Sequence, residues 1–364
     1  MSTTEDGVSE KAPQSKKATR VGVLLTVAAL FIILAGMREA QEILLPFLIA
    51  VFLAVVSSPA VFWMTAKRVP RALAVLLVVA AMVGVGTGLA ALIGTSVNNF
   101  SRNIPTYQSR LQEEISALFG WLDGLGIDLS LDVLLDYVDP GAAMGLASNL
   151  LTGLGGVFTN AFLILLTVVF ILLEVSSFPG KLRIATGEAK LVFPHFTKFT
   201  DSVKGYLAIK TAVSLVLGVL VTFWVWVMGV DFPLLWGLLA FLLNYIPNIG
   251  SIIAAVPAVL LAFIQFGFGT AMIVTIGYLV LNVVLGNIIE PRFMGRGLGL
   301  STLVVFLSLI FWGWLWGTVG MLLSVPLTMT VKIALESNER TRWLAVLLGP
   351  PVSELMPQAE GIGE

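Results

Sequence analysis

Cysteine is absent from this 364-residue chain, and histidine occurs once, at His195. The first absence excludes disulfides, thiolate metal centres and cysteine nucleophiles. The second excludes metal sites built on paired histidines. A serine hydrolase would have to use His195 itself, which sits in the polar stretch Phe193-Pro-His-Phe-Thr197 and reads as a surface residue. No Gly-x-Ser-x-Gly, Walker A or Rossmann glycine pattern stands beside it, so neither an enzyme nor a cofactor or metal is expected. Charge is scarce too: Asp, Glu, Lys and Arg make up 12% of the residues, against about a quarter in soluble domains. A formal net charge of -1 gives no case for nucleic acid. What is abundant is apolar: 57% of the chain is hydrophobic, which describes an all-α polytopic membrane protein set in a lipid bilayer.

Residues 1–20 form a polar N-terminus with Lys11, Lys16, Lys17 and Arg20 just before the first apolar run, and are expected in the cytoplasm. Residues 21–95 hold three spans: Val21 to Met37, Ile43 to about Met64 and, after the basic turn Lys67-Arg-Val-Pro-Arg71, a third to about Thr95. Residues 96–152 are the one sizeable polar insertion, too small for much of a core of its own. Leu111, Ile115, Leu118, Phe119 and Leu122 share one helical face there, which predicts an amphipathic helix, with a shorter one around Leu131 to Val138. Such helices would cap the bundle on its extracytoplasmic side or meet neighbouring subunits. The insertion's carboxylates (Glu113, Glu114, Asp123, Asp128, Asp132, Asp136, Asp139) follow no calcium-loop spacing and read as a solvated face. Residues 153–340 form a C-terminal region: a fourth span from about Gly153 to Leu173, then a basic, aromatic segment from Lys181 to Lys204 suited to an anionic leaflet. A fifth span follows from Tyr206 to Val230, with Lys210 placed to snorkel, and another from Phe268 to about Ile289. Residues 341–364 are a cytoplasmic tail.

Two apolar regions cannot be single straight spans. From Leu234 to Tyr245 only twelve residues precede Ile-Pro-Asn-Ile-Gly250, roughly 18 Å of helix against a hydrocarbon core of about 30 Å. A backbone that leaves the helical ladder inside lipid needs protein or water to satisfy its freed groups. Pro247 removes a donor, Gly250 permits unusual dihedrals, and Asn244 and Asn248 put amides beside the freed backbone, which is the composition of a site. The plainer alternative is a kinked structural helix capped by its asparagines. The region Ser301 to Ile333 is too long instead: 33 residues would extend roughly 50 Å, so it must bend, near Phe311-Trp-Gly-Trp-Leu-Trp-Gly317 and Gly320. The two regions also rhyme, since Asn248-Ile-Gly-Ser-Ile-Ile-Ala-Ala-Val-Pro257 reads like Thr318-Val-Gly-Met-Leu-Leu-Ser-Val-Pro326. Paired Gly/Pro-interrupted segments point to a transporter's binding region. About eight membrane helical segments are therefore expected, including two broken or re-entrant hairpins over 233–265 and 301–333. That topology leaves only Arg38, Arg102 and Arg110 of the 21 Lys and Arg outside and puts both termini in the cytoplasm. Full crossings would move Arg292 and Arg296 out.

Three stretches carry a resemblance: Phe232-Pro-Leu-Leu-Trp236 through Asn244-Tyr-Ile-Pro-Asn-Ile-Gly250, Asn287-Ile-Ile-Glu-Pro-Arg292 with Gly295, and Trp312-Gly-Trp-Leu-Trp-Gly317 through Gly320 to Pro326. Over roughly residues 20–340 the chain resembles the autoinducer-2 exporter (AI-2E) family of bacterial membrane proteins. The resemblance implies a secondary transporter of the bacterial inner membrane, with 153–340 as its transport region. Some members of that family are described as exporting the quorum signal autoinducer-2, others look like sodium or lithium/proton antiporters, and many have no assigned solute.

The expectation is an exporter of a small polar, autoinducer-2-like solute coupled to H+ or Na+. The alternatives are a Na+(Li+)/H+ antiporter without an organic solute, or a membrane scaffold recruiting partners, which would have no need of polar breaks. Glu290, ending an apolar run with Asn287 one turn earlier, is the expected ion-coupling group, because an ionisable residue near the membrane interior marks an ion path by default. The competing reading pairs Glu290 with Arg292 or Arg296 at the interface and gives it only a loop-fixing role. Asn244, Tyr245, Pro247, Asn248 and Gly250 at the break, with Tyr278 and Asn282 on a neighbouring face, are candidates for binding Na+ or a hydroxylated solute. Asn282 equally suits an interhelical hydrogen bond. Trp236, Trp312, Trp314 and Trp316 suit anchoring and packing, and Gly313 with Gly317 a helix contact. A homo-oligomer is expected.

Overall fold

The computed structural model describes residues 14–124, 160–174, 181, 184, 192–247, 249–294 and 299–350, which form helices joined by turns, with no strand among the described residues. The chain divides into two compact units, residues 1–45 and 46–364. The first holds α1 (Gln14–Glu39), whose Leu24, Leu25, Phe31, Ile32 and Ile33 are exposed, as a lipid-facing helix requires. A turn at Ala40 leads into α2 (Gln41–Ala66).

In the second unit α2, α3 (Arg71–Asp123) and α4 (Ala161–Glu174) share a buried cluster. Ala50, Ala54 and Ala74 sit at its centre, where small residues let backbones approach without a polar cost. Arg71 Nη2 donates to the Leu172 carbonyl at 2.5 Å and so closes the C-terminal end of α4. Among the described residues five helical runs are long and apolar enough to cross a membrane: Gln41–Ala66, Arg71–Phe100, Val203–Val227, Gly250–Phe293 and Thr302–Glu336. The chain is a multi-pass helical membrane protein; the last two of these runs are bent, so each is more than one straight segment.

α3 differs from the expected span followed by a separate amphipathic helix. It is one helix of 53 residues, because the ladder continues past the breakers Pro105 and Gly120 beyond its apolar part. Beyond Phe100 the face formed by Tyr107, Leu111 and Ile115 is buried in the same cluster as Val230, Leu235 and Ile264, so this extension caps the bundle. The side chains of Leu118, Phe119 and Leu122, and the whole of 125–159 with the second expected helix, lie outside the described residues.

α5 (Val192–Val227) ends in a turn at Gly229, and α6 (Pro233–Leu243) runs back along it, packed through Gly218 and Gly237. After the break at 244–249, α7 (Gly250–Asn282) returns to place Gln265 beside Asp231. Gly267, at φ 79°, turns the chain again, and the second leg of α7 descends α5 with Gly277 against Trp224. A π-helical turn, Val283–Ile289, leads into α8 (Glu290–Met294), where Glu290 meets Lys210. α6 and the first leg of α7 thus form a helical hairpin. α9 (Thr302–Glu336) is a second hairpin, folded back at Trp316 and Gly317 (φ 63°). Trp312 Nε1 donates to Thr328 Oγ1 at 2.9 Å, and Lys332 Nζ donates to the Gly299 carbonyl, two groups that a straight helix would hold roughly 50 Å apart. α10 (Arg342–Leu347) follows.

The hairpins enter from opposite ends of α5. The first has its base at Asp231 and Gln265, beyond Val227; the second packs Leu300, Val325 and Met329 against Tyr206 and Leu207. Their tips are built alike. A Cβ at Gly250 would lie 1.8 Å from the Leu243 carbonyl oxygen, and one at Gly320 would lie 2.0 Å from that of Trp312. Only glycine lets the returning leg pass this close, which gives the sequence rhyme a physical cause.

Candidate functional site

α5 carries Tyr206, Lys210 and Ser214 at a spacing of four, with Thr211 beside them, so one helical face of an apolar span is polar. The hairpin tip closes over it. Asn244 Nδ2 donates to Ser214 Oγ at 2.8 Å, and Tyr245 Oη donates to Thr211 Oγ1 at 2.7 Å. Phe52 and Phe241 meet the Tyr245 ring edge-on and fix its direction. On the remaining side Lys210 Nζ contacts both carboxylate oxygens of Glu290, at 2.8 and 2.9 Å, with side-chain exposures of 7% and 14%. Tyr206 stands within electrostatic reach of Glu290 and Tyr245. The result is a buried knot of donors and acceptors containing one positive and one negative charge.

Of the residues expected from sequence, the structure brings together Asn244, Tyr245 and Glu290. Pro247 is half-buried beside them and Gly250 buried, while Asn248 lies outside the described residues. The carbonyls at the break are less free than its composition suggests: those of Leu243, Ile246 and Pro247 accept from the backbone N–H of Ile246, Gly250 and Ile249. Tyr278 is buried on the second leg of α7, its hydroxyl without a hydrogen-bond partner, and Asn282 is half-buried next to Gly286. Asn287 is exposed on the π-helical turn, three residues before Glu290. The partner that the structure gives Glu290 is Lys210; Arg292 is exposed, and Arg296 lies outside the described residues. Lys210 does not snorkel, since Glu290 is within reach in the interior and answers its charge there. Tyr206, Thr211 and Ser214 are the members that sequence reading misses; their spacing of three to five within an apolar span was the available signal.

A second polar cluster ties the base of the first hairpin. Tyr107 Oη donates to Asp231 Oδ2 at 2.8 Å, the Gln265 amide donates to the same oxygen, and Asp231 N donates to Gln265 Oε1 at 3.0 Å. Trp236 Nε1 donates to the Asp231 carbonyl at 2.7 Å. Burial, reinforced by the Asp231 bond, pushes the Tyr107 hydroxyl above its ordinary range and keeps it a donor. Glu114 of α3 lies against Gly267, so the α3 extension touches both turns of the hairpin base.

The AI-2E family transporter model matches residues 23–340, which include both hairpins and the knot between them. The chain belongs to the AI-2E transporter family. It is 48% identical over 326 residues to the AI-2 transport protein TqsA of Escherichia coli (strain K12), covering 90% of this chain and 95% of that one. A putative transport protein of Haemophilus influenzae is 45% identical over 332 residues, covering 90% and 95%. The putative transport protein YhhT of Escherichia coli (strain K12) is 40% identical over 340 residues, covering 93% and 97%. This AI-2E protein is accordingly a membrane transporter and not an enzyme, as its residues lead one to expect.

Proposed function

We propose that this AI-2E transporter exports a small polar, autoinducer-2-like solute across the bacterial inner membrane in exchange for H+ or Na+, at the Lys210–Glu290 pair. The observation that carries the reading is a buried ion pair held where a hairpin tip meets a spanning helix. A structural scaffold gains nothing from such a pair, because desolvating two charges costs more than packing apolar side chains in their place. The name of TqsA supports the choice of solute.

The chemistry follows from the donors. A solute hydroxyl can donate to the Glu290 carboxylate and accept from the Lys210 ammonium at once, with Asn244 and Tyr245 offering further dipoles and Tyr278, on the second leg of α7, an unpaired hydroxyl. A cation arriving at Glu290 from outside competes for the same carboxylate, expels the solute, and is released inward. Glu290 is thus the coupling residue, Asn244, Tyr245, Pro247, Asn248, Gly250, Tyr278 and Asn282 form the binding region, and Asn287 acts at most from the flank. The transport region is 153–340, with 96–152 extracytoplasmic and both termini cytoplasmic. Homo-oligomer formation is supported by α3, whose span is only 6% buried and exposes Gly84 and Gly88 one turn apart.

Internal pH, read by a dye in proteoliposomes given a Na+ gradient with and without the solute, tests the reading. Solute-dependent proton movement that disappears in Glu290→Gln is expected. Na+-driven proton movement without solute would favour the antiporter, and solute-coupled flux retained in Glu290→Gln would reject the role of the pair.

A further inference from the structure

The site already contains a cation. Lys210 Nζ lies against both oxygens of Glu290, inside hydrogen-bond distance of each. A hard metal ion at that carboxylate would need about six oxygen ligands turned towards it. Among the described residues the nearby oxygens already carry hydrogen bonds, and the Lys210 ammonium stands where a metal ion would have to approach the carboxylate. Thr211 Oγ1 accepts from Tyr245 and donates to the Leu207 carbonyl, and Ser214 Oγ accepts from Asn244. At the hairpin tip the carbonyls of Leu243, Ile246 and Pro247 each accept a backbone N–H. Among the described residues Tyr206 of α5 stands within electrostatic reach of Glu290 and of Tyr245 at the tip, so a tyrosine rather than a further carboxylate adjoins the pair.

We propose that the Lys210 ammonium permanently occupies the place of a coupling metal cation, so that this transporter works with protons and binds neither Na+ nor Li+. The inference rests on the transport reading of the same site and selects between its two ions. A proton needs no coordination shell. Taken from the outer solution, it adds to one Glu290 oxygen to give the neutral acid, which withdraws the acceptor that held the solute hydroxyl. Lost to the inner solution, it restores the carboxylate and the pair with Lys210, and one proton has crossed for each solute released.

The test is thermal unfolding of the purified full-length protein titrated with NaCl or LiCl against choline chloride at constant ionic strength. Wild type should show no cation-specific shift, while Lys210→Met, which leaves the carboxylate without its ammonium, should be shifted upwards by Na+ or Li+. In proteoliposomes the solute-dependent proton movement of wild type should be unchanged when choline replaces Na+. A specific Na+ or Li+ shift in wild type, loss of its proton movement in choline, or a folded Lys210→Met with no response to either ion would overturn the proposal. The wild-type titration decides the matter even where the variant does not fold. It also does so where no solute is moved, an outcome that would count against the transport reading alone.

Discussion

Lys210 and Glu290 are each costly in the interior of a membrane protein, and tolerable there because each answers the other. Removing one partner from a buried pair leaves an uncompensated charge, at a cost of about 3–5 kcal/mol, whereas removing both leaves two neutral side chains to pack. Lys210→Met should therefore lose stability on that scale, and Lys210→Met/Glu290→Gln should recover most of it without recovering transport; denaturant unfolding of the single and double variants checks both statements. Glu290 was legible in the sequence because it interrupts an apolar run. Its partner was not, because Lys210 lies 80 positions away and stands near the end of a span, where lysines usually reach for the interface. Charge pairing across helices leaves no mark on a single sequence, so two nearby arginines looked like equal candidates.

At the scale of elements, the two hairpins were legible because length and breakers cannot be reconciled with straight spans, and their common tip shows why glycine recurs at 250 and 320. Gly250→Ala and Gly320→Ala each push a Cβ into a backbone carbonyl that cannot rotate away. Each should cost about 1–3 kcal/mol and open the tip enough to abolish transport. Gly36→Ala, where the added methyl meets nothing within 4 Å, should leave thermal unfolding and transport unchanged. The continuous course of α3 and the π-helical turn before Glu290 were not legible. Pro105 looks like a stop yet is tolerated when the neighbouring turns still bond, and a π turn differs from an α turn by a single residue's slip. The cluster at Asp231 could not be foreseen either, since it joins Tyr107, Asp231 and Gln265 from three separate elements. Tyr107→Phe removes one hydrogen bond to a carboxylate that keeps its Gln265 partner. It should cost about 1 kcal/mol, read as a lowered unfolding midpoint, with the α3 extension more open to limited proteolysis.

For the whole molecule, composition alone sufficed to identify a polytopic helical membrane protein, and charge distribution to suggest its orientation. Composition does not give the antiparallel return of α9; the length of the run and its glycine interruptions do, and the structure puts the turn at Trp316 and Gly317. That return carries the account: hairpins entering from opposite ends let a site between them be reached from either side in turn. Side-specific labelling of single cysteines, introduced into this cysteine-free chain at the exposed positions Gln112, Arg292 and Arg340, tests it most directly. The account predicts that Arg292→Cys and Arg340→Cys react from the cytoplasmic side and Gln112→Cys from the other. Labelling of 292 and 340 from opposite sides would mean that α9 crosses the membrane once, and would contradict the opposed hairpins and the transport mechanism built on them.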